Sequence, residues 1–209
     1  AMTRPYAEVI GDPIAHSKSP LIHNFWLEKL GIDAEYRACH VKPEELADYF
    51  ARRREDAAWR GCNVTLPHKE AVHAFLDEVG GQARDIGAVN TVYRGQLRQL
   101  TGTNTDIDGV AEALLGLDLY GQTACVIGGG GAARAAFTAL ARRDCAEVRV
   151  LARSPQKAVK VANACGVLGV GVALEVGSAA LIGAKLLINA TQLGMTGQQP
   201  LPDYVEAQL

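Results

Sequence analysis

This sequence predicts an α/β fold in two parts, 1–105 and 106–209, and three observations lead to it. Short apolar segments alternate with longer helix-forming ones in both halves, which is the grammar of mostly parallel sheets. Four consecutive glycines, Gly128 to Gly131, join an apolar segment to a helix-forming one. Polar residues collect just past the ends of the apolar segments, where α/β folds place their active groups.

The first half opens with Tyr6–Ile10, a strand stopped by Gly11-Asp12-Pro13. His16-Ser17-Lys18-Ser19-Pro20 then leads into an amphipathic run, Leu21 to Leu30, with proline in a first-turn position and Ser19 placed to cap. Ser17 and Ser19 admit two readings: a capping serine beside an incidental one, or two hydroxyls on one side of an extended segment that hold a small carboxylate. Glu35–Val41 reads as the second strand, and Pro43–Arg54 as a helix whose charges form a solvated face. Gly61–Thr65 is the third strand, running straight into Leu66-Pro67-His68-Lys69.

Pro67 reads as a helix start, which places Lys69 in a first turn, where the helix dipole disfavours a cation. Such a lysine is either a surface accident or an ammonium held ready to exchange a proton. Ala88–Tyr93 and Gln96–Leu100 flank a turn at Arg94-Gly95 and read as edge strands. A polar loop, Thr101 to Asp106, opens a helix reaching Leu115, and Thr105 with Asp108 has capping-box spacing. Asp106 in that first turn is electrostatically comfortable without any further role.

In the second half Ala124–Ile127 is a strand and Ala132–Arg142 a helix. Gly128, Gly130 and Ala133 between and within them fit G-x-G-x-x-[G/A] in the strand–turn–helix order that gives this motif meaning. The first glycine permits a tight turn, the second lets a pyrophosphate approach, and the small third residue packs helix on strand. Free N–H groups at the helix start, around Gly129, Gly131 and Ala132, attract phosphate. This half is therefore expected to be a Rossmann-like domain.

Glu147–Leu151, the next strand, ends in Ala152-Arg153-Ser154-Pro155-Gln156-Lys157, with no acid and two cations. An acid there would bind the ribose 2′-hydroxyl of NAD, whereas arginine accommodates a 2′-phosphate, so the cofactor expected is NADP. Val167–Leu174 and Lys185–Ala190 are further strands, the latter leading into Thr191-Gln192-Leu193-Gly194-Met195. Asp203–Leu209 reads as a short last helix whose Val205 and Leu209 have little to pack against.

Bulk properties narrow the classes. The 209 residues are 48% hydrophobic and 21% charged, with net charge −2, which gives no reason to expect nucleic acid or an anionic membrane as partner. No apolar run approaches the roughly 20 residues that span a bilayer, and no signal peptide is visible. Ala1 before Met2 reads as an expression remnant. Five cysteines without C-x-x-C spacing suit free thiols in a reducing cytoplasm. His16, His23 and His68 lack metal-ligand spacing, so no metal is expected.

In order along the chain, HSKSP (16–20), NVTLPHK (63–69), GAVNT (87–91), NTD (104–106), GGGGAARA (128–135) and NATQLGM (189–195) resemble the shikimate/quinate dehydrogenase family. The resemblance implies a substrate domain and an NADP-binding domain with a cleft between them. It also implies reversible hydride transfer between NADPH and 3-dehydroshikimate, by a monomer or homodimer. Carried over by position, Ser17 and Ser19 hold the substrate carboxylate, Thr65, Asn90 and Asp106 bind ring hydroxyls, and Lys69 paired with Asp106 is the acid/base group. Gly128 to Ala133, Arg153, Ser154, Lys157 and Thr191 would hold NADP.

Ala152-Arg153-Ser154 stands where the family has Asn-Arg-Thr, four glycines where Gly-Ala-Gly-Gly is common, and Gln192 where proline is common. The family also continues with a further strand and a C-terminal helix that packs back on the first domain. A shortened chain with uncovered apolar surface on that domain is therefore expected. The alternatives are a catalytically silent NADP-binding or regulatory protein of this fold, or a relative that prefers quinate or aminoshikimate.

Overall fold

The computed structural model describes residues 4–207, so Ala1, Met2 and Leu209 lie outside the described residues. The chain divides between Thr105 and Asp106 into two compact units.

The first unit holds a six-stranded sheet in the order β2-β1-β3-β5-β6-β4, built from β1 (Tyr6–Gly11), β2 (Glu35–His40), β3 (Trp59–Val64), β4 (Glu78–Val79), β5 (Thr91–Arg94) and β6 (Leu100–Thr103). β1 pairs in parallel with β2 and β3, and β4 with β6, whereas β3–β5 and β5–β6 are antiparallel. β5 and β6 are therefore interior strands and not edges, because β4 adds outside β6. Helices α1 (Ser19–Lys29), α2 (Leu46–Glu55) and α3 (Gly81–Ile86) complete the unit, with a 3-10 turn, Pro43–Glu45, ahead of α2.

Leu46, Tyr49 and Phe50 of α2 bury against Ile10, Trp59, Val64 and Leu100. The expected solvated face of α2 is breached by Arg53, whose guanidinium reaches the buried Glu8 of β1. Helix α1 departs from expectation in two ways. It begins at Ser19, which is thus its first helical residue and not its cap; Lys18 occupies the cap position, and the Ser17 hydroxyl accepts the Ser19 N–H at 3.2 Å. None of its residues is buried, and Leu21, Phe25 and Trp26 stand exposed on it.

No α-helix starts at Pro67. Lys69 lies in a chain of turns ahead of a 3-10 helix, Ala71–Phe75. Its carbonyl accepts the Val89 N–H at 2.7 Å, which takes it out of any helical ladder. Lys69 is therefore not in the first turn of an α-helix.

The second unit is a four-stranded, wholly parallel sheet in the order β10-β7-β8-β9. Its strands are β7 (Thr123–Ile127), β8 (Glu147–Ala152), β9 (Gly169–Ala173) and β10 (Leu186–Asn189). They are accompanied by α4 (Asp106–Ala113), α5 (Gly131–Ala141), α6 (Pro155–Ala164) and α7 (Asp203–Glu206). Alternate residues of a strand face opposite sides, and both sides are covered here. Ala124 and Val126 pack with Phe137 and Leu140 of α5, while Cys125 and Ile127 pack with Ala180 and Val205.

Val205 is thus a core residue, contrary to the expectation that it lacks a partner. Tyr204 beside it donates its hydroxyl to the Leu174 carbonyl. Among the described residues no helix is long and apolar enough to cross a membrane.

Candidate active site

In the first unit, β1 leads through α1 to β2 on one side and the chain then returns to β3 on the other. That makes the carboxyl ends of β1 and β3 a topological switch point, where open α/β sheets bind their ligands. The β1–β3 pairing extends past both strands: the Thr65 N–H reaches the Ile10 carbonyl at 2.9 Å, and the Asp12 N–H reaches the Leu66 carbonyl at 3.0 Å. A β-carbon at Gly11 would lie 2.5 Å from Thr65 Cγ2 and 2.9 Å from the Leu66 oxygen, so only glycine allows this approach.

Beyond Gly11 the loop turns at Ile14, whose carbonyl accepts the Ser17 N–H at 3.0 Å, and delivers Ser17 and Ser19. Beyond β3 come Thr65 and Lys69. The Val64 N–H donates to the Asn90 carbonyl at 2.7 Å, and the Asn90 N–H to the Thr103 carbonyl at 3.1 Å. Thr65, Lys69 and Asn90 are thus carried by backbone segments bonded to one another, and Ser17 and Ser19 by the loop that follows the adjoining strand.

Two side chains brace this end, His68, which carries no assigned role, and Asn90 itself. His68 is buried and donates Nε2–H to the Val41 carbonyl at 2.6 Å, tying the Lys69 turn to the end of β2. Asn90, 8% exposed, accepts the Thr105 N–H on Oδ1 at 3.0 Å and donates Nδ2 to the Thr105 hydroxyl at 2.9 Å. Asp106 follows Thr105 directly and opens α4 in the second unit.

The second unit has its own switch point, since β7 is flanked by β8 on one side and by the late strand β10 on the other. Gly128 lies there with φ of +111°, in the region that favours glycine. A β-carbon on it would lie 2.8 Å from Thr191 Cγ2, and one on Gly129 would lie 2.9 Å from Ala158 Cβ of α6. Gly130 is different: it caps α5 and nothing lies within 4 Å of where its β-carbon would be. Ala133 is fully buried against the sheet. The division of labour is the one a pyrophosphate site requires, with a crowded turn at Gly128 and Gly129 ahead of an open approach to a helix N-terminus.

β8 pairs with β7 in register Ile127–Leu151, so Ala152-Arg153-Ser154 leaves the sheet beside the glycine turn. Arg153 and Lys157 are both exposed, Ser154 occupies the cap position of α6, and Lys157 sits in its first turn. These groups fit the charge and reach of a 2′-phosphate. Thr191 is held by a residue that sequence did not single out. Asn189 Oδ1 accepts the Thr191 N–H at 3.0 Å and its hydroxyl at 2.6 Å, while Asn189 Nδ2 donates to the Leu193 carbonyl at 2.9 Å. Asparagine at a strand end ahead of a loop is the signal that points to such a role.

No cluster of His, Cys, Asp and Glu able to hold a metal occurs among the described residues. All five cysteines are unbridged, and burial pushes the thiols of Cys39, Cys62, Cys125, Cys145 and Cys165 upward.

Comparison with known proteins matches each unit separately. Residues 9–92 fit the shikimate dehydrogenase substrate-binding domain, and residues 109–193 fit shikimate/quinate 5-dehydrogenase. A shikimate dehydrogenase (NADP+) of Sphingopyxis alaskensis is 53% identical over 197 residues, covering 94% of this chain and 71% of the relative. The shikimate dehydrogenase crystal structure from Aquifex aeolicus aligns with a TM-score of 0.84 at 32% identity, over 96% of this chain and 73% of that one. The Thermus thermophilus shikimate 5-dehydrogenase structure, solved with NADP(H) and shikimate, aligns with a TM-score of 0.77 at 41% identity, over 91% of this chain and 70% of that one. None of these relatives supports a catalytically silent protein. From its two domain matches and its identity to these enzymes, the chain belongs to the shikimate dehydrogenase family.

Proposed function

We propose that this protein is an NADP-dependent oxidoreductase that reversibly reduces 3-dehydroshikimate to shikimate, in the cytoplasmic route to chorismate and the aromatic amino acids. The observation that carries the reading is the 53% identity to an NADP-dependent shikimate dehydrogenase across 94% of the chain. The first unit serves as the substrate domain and the second as the NADP domain.

The Ser17 hydroxyl accepts the Ser19 N–H, which directs its own hydrogen outward as a donor. With the Ser19 hydroxyl at the start of α1, it binds the substrate carboxylate. Thr65 and Asn90 bind ring hydroxyls. NADPH, when bound, supplies the hydride that reaches the carbonyl carbon of the substrate. Negative charge then grows on the carbonyl oxygen, and the Lys69 ammonium stabilises that oxygen and gives it a proton. Asp106 is the second member of the acid/base pair. Gly128 to Ala133 take the pyrophosphate, Arg153, Ser154 and Lys157 the 2′-phosphate, and Thr191 the nicotinamide side.

The direct test mixes the protein with shikimate and NADP and follows the NADPH absorbance band, with quinate in a parallel arm. A rise with shikimate is expected; no rise with either acid, in a protein that binds NADP, would refute the reading.

Two substitutions separate the subsites. Ser17→Ala combined with Ser19→Ala is expected to raise the Michaelis constant for shikimate at least tenfold and hardly change that for NADP, since hydrogen bonds to a charged group contribute roughly 1.5–3 kcal/mol each. Equal damage to both constants would count against the carboxylate assignment. Arg153→Ala is expected to weaken NADP binding about tenfold or more while sparing NAD, because only NADP carries the phosphate a guanidinium grips in a fork. Calorimetric titration with both nucleotides decides it, and a wild-type preference for NAD would overturn the assignment.

A further inference from the structure

Behind Asn90 runs a file of hydrogen bonds that the catalytic reading does not use. The Tyr36 hydroxyl of β2 lies 2.6 Å from Asn63 Oδ1 of β3, Asn63 Nδ2 lies 3.1 Å from Thr91 Oγ1 of β5, and Thr91 Oγ1 lies 3.0 Å from Asn90 Oδ1. The direction of every bond follows from one end. The Thr105 backbone N–H can only donate, so the Asn90 atom facing it is the amide oxygen. Thr91 must then donate its hydrogen to that oxygen and accept from Asn63. Asn63 must in turn present its own oxygen to Tyr36, which donates. Reversing any member would set two donors or two acceptors face to face.

The far end is firmly held. The Asn24 side chain bonds both backbone groups of Tyr36, at 2.7 and 2.9 Å, and the His23 ring stacks on the phenol at 4.1 Å between centroids. Burial, with Cys62 and Glu8 adding in the same direction, pushes the Tyr36 phenol well above its usual range, so it remains a donor throughout the working range.

We propose that Tyr36, Asn63 and Thr91 are positioning residues, a one-way hydrogen-bond relay that holds the rotamer of Asn90, whose amide sense Thr105 sets, for binding a substrate hydroxyl. The proposal rests on the reading of Asn90 as a shikimate-binding residue. Without the Thr91 hydroxyl, Asn90 Oδ1 keeps the Thr105 N–H but loses its second donor, and Asn63 loses its acceptor. The Asn63 amide can then turn, and the Asn90 side chain is held less firmly in its rotamer.

The test uses the whole chain and three variants. Thr91→Val removes the hydroxyl at nearly constant shape. It is expected to weaken shikimate binding and raise its Michaelis constant about tenfold, the worth of roughly one hydrogen bond, with the constant for NADP unchanged within twofold. Tyr36→Phe should act in the same direction by about threefold, and Thr91→Ser should restore wild-type binding within twofold. In the ligand-free protein, Thr91→Val should also shift the Asn90 and Asn63 side-chain amide signals in a nitrogen–proton NMR spectrum. Shifted amide signals with unchanged shikimate affinity would overturn the positioning role while leaving the dehydrogenase reading intact. So would a parallel loss of NADP affinity and melting temperature that serine fails to rescue, since that marks a merely structural role. A wild-type protein that binds NADP but not shikimate would overturn both.

Discussion

Lys69→Ala is expected to lower kcat about 100-fold or more while leaving the Michaelis constant for shikimate within a few-fold, the range typical of losing a positioned acid/base group. The split follows from the placement of the groups. Ser17, Ser19 and Asn90 sit on other backbone segments and keep their hold on the substrate, whereas proton delivery to the carbonyl oxygen falls to the lysine alone. The turn carrying Lys69 is itself braced by His68 and by the Val89 N–H, so its backbone should keep its place when the side chain is truncated. Lys69→Arg is a sharper companion. It keeps a cation but holds its protons far more tightly than an ammonium does, so charge stabilisation without proton transfer should leave kcat far below wild type. Steady-state kinetics gives kcat, and calorimetry with shikimate checks that binding survives. Normal turnover in Lys69→Ala would remove the residue from the mechanism.

The second unit is the more legible half of the sequence. Its central strand β7 is a continuous apolar run, Ala124–Ile127, buried throughout as a strand covered on both faces must be, and the four glycines and Arg153 mark their own places. The register of β7 against β8 then sets them side by side without any further condition. The first unit reads less well between residues 70 and 87. A 3-10 helix of five residues, a strand of two and a helix of six are too short for any hydrophobic period to declare itself. Missing β4 is what makes β5 and β6 look like edges. Pro67 misleads because a proline favours a turn as readily as a helix start, and the carbonyl of Lys69 that would begin a ladder is claimed by Val89, a partner 20 positions away.

Site residues whose chemistry is local are visible in sequence: two spaced hydroxyls, a lysine after a strand, a glycine turn. The residues that hold them are not. Tyr36, Asn63 and Thr91 meet only through the pairing of β2, β1, β3 and β5, and Asn63 opposite Thr91 is a fact of register. Val205 shows the same limit in the core, since what covers it comes from Cys125, Ile127, Leu151 and Ala180.

Glu8 is the furthest from being legible, and its removal carries the largest expected effect on stability. In the segment Tyr6–Gly11 it reads as an ordinary outward charge, yet it is 2% exposed. Arg53 grips it bidentately, Nε to Oε2 at 2.8 Å and Nη2 to Oε1 at 2.9 Å, and the Tyr49 hydroxyl donates to Oε2 at 2.8 Å. Arg37 adds a longer contact at 3.4 Å. Glu8→Ala leaves the Arg53 guanidinium and the Tyr49 hydroxyl without their acceptor inside the core, and breaking a buried pair from one side costs about 3–5 kcal/mol. Glu8→Gln keeps the volume and one acceptor and should cost less. Glu8→Leu combined with Arg53→Met removes both charges together and should recover much of the loss, because the penalty is that of an orphaned charge and not of a missing attraction. Both tryptophans, Trp26 and Trp59, belong to the first unit, and Trp59 is fully buried. Tryptophan fluorescence in urea therefore reports the unfolding of that unit within the intact chain, whatever the second unit does. A midpoint lowered strongly by Glu8→Ala and largely restored by the double substitution is the expected result. A Glu8→Ala loss below about 1 kcal/mol, the value of an exposed pair, would show that water reaches this cluster and that Glu8 is not a buried charge at all.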